Sequence, residues 1–214
     1  MDDALHILRI SPVERLFELR STGSPMSASV AVARVENQGA CRDALRHKCD
    51  QLLRKLAREM SADDTEPVTV RHISGSAPCL YWGEKACDLR ASVAHSGPWV
   101  AVALAGQGRI GIDIQVRDDR RRYREIAEFL DLDPDAMRDK QLFFSSWTLR
   151  EAIAKAADES MLTPHVLEPK LAVACQKHGQ VVNAGPFSAF VDVILPNAHL
   201  AVVLNNDSEA RTCA

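Results

Sequence analysis

The chain has 214 residues, of which 46% are apolar, so it can form one large domain or two small ones. A net charge of −3, an aromatic content of 5% and the lack of any nucleic-acid-binding motif argue against a nucleic-acid partner. No apolar run approaches the roughly 18–20 residues that a membrane-spanning helix needs, which argues against a membrane protein.

The N-terminus and the cysteines favour the cytoplasm. Met1–Ala4 carries acidic residues where a signal peptide would carry basic ones. The six cysteines include no CxxC pair and no Cys/His grouping with zinc-site spacing. Cys41 and Cys49 fall on the apolar face of a predicted helix, where a free cysteine behaves as a small hydrophobe. We therefore expect a reducing, cytoplasmic compartment.

The first 60 residues contain one clear strand and one clear helix. Residues 1–27 follow neither the helical nor the strand period, and Pro12 interrupts them, so we treat them as an N-terminal arm. Residues 27–35 alternate small and β-branched side chains, which predicts a strand. Apolar residues at three- and four-residue spacing predict a helix over residues 40–60.

The opposite face of this predicted helix is basic; it carries Arg42, Arg46, Lys48, Arg54, Lys55 and Arg58. Such a face is most often solvated surface, and that interpretation is favoured here. The alternative is capture of a nucleotide phosphate, because the planar guanidinium group of arginine can bond two phosphate oxygens at once.

Strands follow in the middle of the chain. Residues 67–73 predict one strand, and residues 91–94 and 98–104 predict a hairpin that turns at His95-Ser96-Gly97. A lone histidine in such a turn is more often structural or exposed than functional. The turn-forming residues 105–108 mark a boundary, so we divide the chain there.

We expect an N-terminal part over residues 28–106 and a C-terminal part over residues 107–207, with a frayed tail over residues 208–214. The C-terminal part opens with a strand in which Ile110, Ile112 and Ile114 alternate with other residues. Asp113 and Gln115 then lie side by side on the other face of that strand.

Residues 117–124 are highly charged, and a helical pattern begins at Tyr123. A charged cluster such as Arg120–Arg124 is most often solvated surface, and that interpretation is favoured here. Its functional alternative is docking of an acidic partner helix, because opposite charges speed encounter and set register. Asp133-Pro134 has the pattern of a further helix start.

A helix is predicted up to about residue 157, with Phe144, Trp147, Glu151 and Ala154 on one side. A carboxylate among apolar neighbours is costly unless a partner compensates it. Lys155 follows Glu151 by one turn and can reach along the same surface. Beyond this helix we predict strands over residues 170–175, 180–182, 188–194 and 199–204.

Asp113 and Glu151 therefore come from different elements, with the cation of Lys155 close by. Mg²⁺ is commonly held by one or two carboxylates together with waters and substrate phosphates. The pattern thus points to a divalent metal and a phosphorylated ligand. The simpler interpretation is an isolated strand aspartate and a Glu151–Lys155 surface ion pair worth a few tenths of a kcal/mol.

Three sequence blocks resemble the signatures of the 4′-phosphopantetheinyl transferases. Gly111-Ile112-Asp113 resembles the family's (V/I)-G-(I/V)-D, and Trp147–Lys155 resembles its (F/W)-(S/C/T)-x-(K/R)-E-(A/S)-x-x-K. Ser92–Gly97 resembles the Ser-His-Ser-Gly segment that precedes them. The blocks occur in the family's order, the likeness covers roughly residues 28 to 204, and the chain length is similar to that of the surfactin-synthetase-activating type.

The resemblance implies an α+β fold of two similar lobes related by pseudo-twofold symmetry, with the ligand cleft between them and a working monomer. It implies Mg²⁺-dependent transfer of 4′-phosphopantetheine from coenzyme A to a serine of an acyl or peptidyl carrier protein. In this reading Asp113, Gln115 and Glu151 hold the metal, and Asp113, Glu151 and Lys155 are catalytic.

Coenzyme A is expected to contact four residues, Arg46, His95, Arg150 and Lys155. Of these, Arg46 would bind the 3′-phosphate, with Arg42 and Lys48 as rivals, and His95 would contact the pyrophosphate. The base that deprotonates the carrier serine is either Glu151 or a metal-bound water.

The sequence departs from the family pattern at several positions. Many relatives have Glu where this chain has Gln115, so we expect a bound metal with lower affinity. Ala94 replaces a serine, and Ser76-Ala77-Pro78 stands where the family often has Gly-Lys-Pro. Gln115, Ala94 and Ala77 favour one alternative, a non-catalytic relative that binds coenzyme A or a carrier protein. A further alternative is a metal-dependent phosphohydrolase or nucleotidyl enzyme with a similar carboxylate pair.

Overall fold

The computed structural model describes residues 5–10, 14–20, 27–35, 41–61, 66–118, 123–129, 139–160, 169–195 and 197–206. It shows a mixed α+β architecture with three antiparallel sheets. Elements are numbered along the chain. The first sheet has five strands in the spatial order β1 (Leu5–Ile10), β2 (Glu14–Arg20), β3 (Ser27–Arg34), β8 (Trp99–Ala105) and β7 (Arg90–Ser96).

The second sheet is built from the chain that follows β8. Its spatial order is β10 (Val181–Ala184), β11 (Phe187–Leu195), β12 (Ala198–Asn205) and β9 (Arg109–Val116), which places β9 at an edge. A small third sheet consists of β4 (Val68–Arg71), β5 (Cys79–Trp82) and β6 (Lys85–Ala86).

Two long helices cover the larger sheets. Helix α1 (Arg42–Met60) packs on the first sheet through the predicted apolar stripe, which includes Leu52, Leu53 and Leu56. Helix α3 (Lys140–Ala157) packs on β9 and β12. The side chain of Asp139 accepts a hydrogen bond from the Gln141 backbone N–H at 2.8 Å and so caps the first turn of α3.

Shorter helices complete the described fold. They are α2 (Tyr123–Phe129), α4 (Pro169–Ala172) and a 3-10 turn over Val173–Cys175. The ring of Phe143 contacts those of Tyr123 and Trp147 where α2 meets α3.

The main core lies between the two larger sheets. Ile110, Ile112 and Ile114 of β9 project into it, as the alternation predicts, and meet residues of the first sheet such as Val30 and Val32. Each sheet turns its other face to its own helix. The layer order is therefore helix, sheet, sheet, helix, and the seam between the sheets positions the candidate site.

Several expectations need correction. Residues 170–175, predicted as a strand, form α4 and the 3-10 turn, because a short apolar run has no decisive period and Pro169 suits a first helical turn. The stretch treated as an N-terminal arm contains β1 and β2, which extend the first sheet.

The cysteines also differ from expectation. Cys49 is buried on α1, and burial raises the pKa of its thiol to about 12. Cys41, expected on the apolar face of that helix, instead precedes its first turn and is exposed. Cys79 is disulfide-bonded, which a sequence without paired cysteine motifs did not predict.

Some expectations fall outside the described residues: the Asp133-Pro134 helix start, most of the Arg120–Arg124 cluster, and the tail over residues 208–214. Among the helices of the described ranges, none combines the length and the apolar character that crossing a membrane would require.

Candidate functional site

The candidate site depends on a close crossing of β9 and α3 at Gly111. A Cβ at this position would overlap the carbonyl oxygen of Ala152 and lie 2.7 Å from the backbone nitrogen of Ala156. Only glycine leaves room for the helix backbone here. Asp113, two residues along the same face of β9, is therefore brought against the side of α3 that carries Glu151 and Lys155.

Asp113 is held on both carboxylate oxygens. Its Oδ1 accepts a hydrogen bond from Lys155 Nζ at 2.9 Å, and its Oδ2 accepts one from Gln115 Nε2 at 3.1 Å. The Glu151 carboxyl lies close enough to that of Asp113 to help raise the pKa of Asp113. The structure thus brings together the four residues that the sequence placed in the metal and catalytic sets: Asp113, Gln115, Glu151 and Lys155.

The pairing of two carboxyl groups changes the protonation of the site. Burial raises the pKa of Asp113 to about 7, and the neighbouring Glu151 adds to the rise while Lys155 opposes it. Because neighbouring carboxylates resist ionising together, Asp113 keeps its proton to a higher pH than an ordinary aspartate does. A cation that replaced this proton would relieve the same repulsion.

Trp147 fixes Glu151 from within the helix. Its indole Nε1–H donates to Glu151 Oε1 at 2.7 Å, one helical turn away. Trp147 is itself buried in the aromatic cluster with Phe143 and Phe144. The aromatic position of the motif therefore serves both as core and as an orienting donor, a role that the sequence did not predict.

Lys155 lies at the junction of both sheets. Its Nζ donates to the carbonyl oxygen of Ile112 at 2.8 Å and to that of Val93 at 3.5 Å, in addition to Asp113. Its side chain is 35% exposed, so it can exchange these acceptors for water or a ligand. A cation that is both anchored and accessible suits an anionic ligand.

A groove opens beside Lys155. It has a volume of about 440 Å³ and runs between the chain at Gly75–Pro78, strand β7 at Ala91–Val93 and the end of α3 at Ala154–Glu159. Small-molecule and cofactor sites commonly occupy about 300–1,000 Å³. The groove is thus of a size for a nucleotide-bearing ligand whose charged end reaches Lys155.

Serines close the seam between β7 and β9, which are both edge strands. Ser92 Oγ accepts from the backbone N–H of Ile112, and Ser96 Oγ accepts from that of Val116, each at 3.0 Å. The Ser92–Gly97 block, flagged for ligand contact, therefore also satisfies backbone donors of the strand that carries Asp113. His95 is exposed on β7, on the same face as Val93 of the groove.

The two arginines expected to contact coenzyme A, Arg46 and Arg150, are not among the described residues that line the groove beside Lys155. Arg46 is exposed on α1, and Arg150 is buried on α3. Successive helical residues point about 100° apart, so Arg150 lies on a different side of α3 from Glu151.

A buried histidine lies beneath this site. His199 of β12 is paired across the strands with Gln115 and is 2% exposed. Its Nδ1 forms a hydrogen bond with Ser145 Oγ at 3.0 Å, and its ring stacks on Phe144 with centroids 5.7 Å apart. No sequence pattern pointed to this histidine, because its contacts are formed by residues more than fifty positions away.

His199 should make the fold sensitive to acid. Burial lowers the pKa of His199 from 6.5 to about 4, with smaller contributions from the charges of His178 and Arg117, while Asp139 opposes the shift. His199 therefore binds a proton near pH 6.5 in the unfolded chain but only near pH 4 in the folded chain. Stability from this residue is complete above pH 6.5 and falls by on the order of 3 kcal/mol as the pH drops to 4.

Denaturant unfolding of the wild type and of His199→Gln between pH 7 and 4.5 measures this effect. We expect the wild type to lose stability faster than the variant as the pH falls. Asp113 contributes a slope of opposite sign, since its raised pKa favours the folded state below about pH 7. That contribution is common to both proteins and cancels in their difference. Parallel pH profiles would contradict the prediction.

Two comparisons with other proteins gave no identification. A scan against protein-family models found no match, and a search of curated proteins found no significant similarity. Within the described ranges, no three His, Cys, Asp or Glu side chains cluster in a way that could hold a metal ion. A cation at this site would therefore rest on two carboxylates, an amide and oxygens from outside the chain.

Proposed function

We propose that this chain transfers 4′-phosphopantetheine from coenzyme A to a serine of an apo acyl or peptidyl carrier protein, with Mg²⁺ as cofactor. One observation carries the proposal: the carboxyl groups of Asp113 and Glu151 meet beside Lys155, at the edge of a groove large enough for a nucleotide. The reaction is inferred from the motif resemblance, and we propose that it takes place at this group of side chains.

The donor set fits a hard divalent cation. Burial and the nearby Glu151 both disfavour the ionised form of Asp113, and Lys155 is the one cation shown bonded to that carboxyl group in the described residues. Asp113 and Glu151 would hold Mg²⁺ together with the amide oxygen of Gln115 or a water, a set of the oxygen type that Mg²⁺ prefers. When bound, the metal would neutralise negative charge on the pyrophosphate.

The chain's own residues would orient and stabilise the ligand. Lys155 exchanges its carbonyl acceptors for a pyrophosphate oxygen, and His95 lies on the β7 face that leads to the same groove. Small side chains such as Gly75 and Ala91 leave space for the nucleoside portion. Preorganised charges of this kind supply most of the catalysis in phosphoryl transfer.

The proposed reaction exchanges one phosphorus–oxygen bond for another. The carrier serine oxygen bonds to the β-phosphorus, the bond to the bridging oxygen breaks, and 3′,5′-adenosine bisphosphate leaves. The serine proton passes to Glu151 or to a water that Glu151 orients. Because Trp147 occupies one oxygen of Glu151, proton transfer must use the other.

The proposal extends to the architecture. Residues 28–106 and 107–207 would form two similar lobes related by a pseudo-twofold axis, with the coenzyme in the cleft between them. Each of the larger sheets has one long helix on its outer face, which agrees with that arrangement. Since Asp113 and Glu151 come from one chain, a cytoplasmic monomer would carry the whole site.

A second candidate is a non-catalytic relative that binds coenzyme A or a carrier protein. Its support is that both oxygens of Asp113 are already engaged within the chain, by Lys155 and by Gln115. A binder that never needs the metal could keep this closed arrangement.

Mass spectrometry of the carrier protein tests the proposal. The chain is incubated with coenzyme A, Mg²⁺ and an apo fatty-acid carrier or an apo peptidyl carrier, with a chelator in parallel samples. A gain of one phosphopantetheine arm that the chelator prevents is the expected result. An unchanged carrier of both kinds favours the binder, and cleavage of coenzyme A without transfer favours a phosphohydrolase.

Lys155→Met should separate metal binding from catalysis. Removing a cation that contacts Asp113 should raise the affinity for free Mg²⁺ by about tenfold in the absence of coenzyme A, since like charges repel at this distance. Transfer should nevertheless fall, because the pyrophosphate loses its cation. Calorimetric titration with Mg²⁺ measures the first effect, and carrier mass measures the second.

Lys85→Met is the matched control, since it removes the same charge from an exposed position in the third sheet. It should leave both quantities at wild-type values. Weaker Mg²⁺ binding by Lys155→Met would show that the lysine supports the metal instead of competing with it.

A further inference from the structure

We infer that His199 and Ser145 are positioning residues that hold the Gln115 amide and, through it, the Asp113 carboxylate. The inference deepens the proposed function and rests on it for its catalytic consequences. Its structural part concerns only how one buried side chain fixes another.

Gln115 needs an external constraint to act on Asp113. A glutamine side chain has three rotatable bonds, and ordering it costs conformational entropy. In the structure its Nε2 nevertheless donates to Asp113 Oδ2 at 3.1 Å, and the residue is 8% exposed. The amide therefore presents its nitrogen, and not its oxygen, to Asp113.

His199 is placed to supply that constraint. Directly opposed residues in an antiparallel pair lie on the same face with Cβ atoms about 4.5–5.5 Å apart. His199 and Gln115 are such a pair, on the face that α3 covers. The imidazole ring thus forms a wall beside Gln115 within a buried layer.

The ring is itself fixed by α3. Ser145, which is fully buried, bonds its Nδ1, and Phe144 stacks on one ring face. An apolar pair at these two positions would avoid the cost of burying polar groups. The Ser145–His199 bond instead gives the ring one orientation. His199 is the cross-strand neighbour of Gln115, and Gln115 bonds Asp113.

Side-chain amide spectroscopy tests the structural part without metal or substrate. The Gln115 NH₂ group gives a pair of ¹H–¹⁵N signals, which Gln115→Leu identifies by their loss. In the wild type these signals should be shifted from free-glutamine positions by the bond to Asp113. His199→Leu and Ser145→Ala should return them toward those positions.

Two further variants distinguish positioning from general loosening. His199→Asn keeps a polar atom where Nδ1 lies, so it can still bond Ser145 and should restore the shifted signals. Val203→Ala lies on the same face of β12 but is paired with Gly111, so it creates a cavity in the same layer away from Gln115. It should lower the melting temperature and leave the Gln115 signals in place.

Mn²⁺ titration and transfer kinetics test the functional part. Partners that orient a metal ligand are typically worth about ten- to a hundredfold in affinity or activity. We expect His199→Leu to weaken Mn²⁺ binding and lower kcat by about tenfold, with KM for the carrier unchanged. His199→Asn and Val203→Ala should stay within about twofold of wild type.

Failure of this inference can be distinguished from failure of the proposed function. Equal Mn²⁺ binding by wild type and Asp113→Asn would overturn the proposed function but not the positioning of Gln115, which the amide signals report. Unmoved Gln115 signals in His199→Leu or in Ser145→Ala would overturn this inference, whatever the metal does. Signals lost equally in Val203→Ala would overturn it as well.

Discussion

Replacing Asp113 with Asn should reduce the proposed phosphopantetheine transfer by about a hundred- to a thousandfold, the loss usual when a preorganised charge is removed from an active site. Asparagine keeps the shape and one acceptor oxygen but lacks the negative charge that meets Lys155 and would meet a divalent cation. The rate of carrier modification at saturating coenzyme A and Mg²⁺ measures this loss.

The fold of the Asp113→Asn variant should survive. Lys155 is 35% exposed, so its ammonium group can turn to water when its partner becomes neutral. The buried Asp113 carboxylate is itself costly to ionise, as its raised pKa of about 7 indicates, and the neutral amide avoids that cost.

Asp192→Asn provides a matched control for Asp113→Asn. Asp192 lies on β11, separated from β9 by β12, and its Oδ1 accepts a hydrogen bond from the backbone of Val193 at 2.8 Å. The same chemical change there should leave transfer within about twofold of wild type, as expected for a substitution that makes no contact with the reacting groups. Equal losses in both variants, or full activity of Asp113→Asn, would refute the assigned site.

Strand and helix periods predicted which side chains share a face, and this part of the site was accessible from sequence. Period two separated Asp113 and Gln115 from the buried isoleucines, and the helical period placed Glu151 and Lys155 one turn apart. Both relations are local, because a strand or helix fixes them within a few residues. The structure then brings these two faces together.

Contacts between distant segments were not accessible in the same way. The hydrogen bonds that Ser92 and Ser96 accept from β9 depend on two sheet edges meeting, and the Ser145–His199 bond joins α3 to the last strand. No period encodes such pairs. Sequence reasoning therefore missed the residues that orient the site while it found those that carry charge.

Secondary structure was mispredicted where the local pattern was weak. Leu171–Cys175 is a run of small and apolar residues, which suits a buried strand and a buried helix equally well. Packing favours the helical conformation, because it buries Leu171, Ala174 and Cys175 in the core between α3 and the second sheet. Strand β2 pairs with β3, and β1 pairs with β2, so sheet pairing imposes the strand conformation on a stretch without clear alternation.

Gly111→Ala should destabilise the fold strongly, because the added methyl group meets the backbone of α3. Its Cβ would overlap the carbonyl oxygen of Ala152 and come within 2.7 Å of the nitrogen and 2.9 Å of the carbonyl carbon in the backbone of α3. No rotamer change can relieve a clash with backbone, so α3 must move away from β9. Overpacking of buried sites costs about 1–3 kcal/mol even where side chains can adjust, and we expect at least the upper figure here.

The same displacement should abolish the site, because β9 carries Asp113 and α3 carries Glu151 and Lys155. Thermal unfolding of Gly111→Ala and Gly106→Ala measures the effect of the added methyl group. A Cβ on Gly106 meets nothing within 4 Å, so that variant should melt close to wild type. If Gly111→Ala melted there too and still transferred phosphopantetheine, the close crossing of β9 and α3 would not be what holds the two carboxyl groups together.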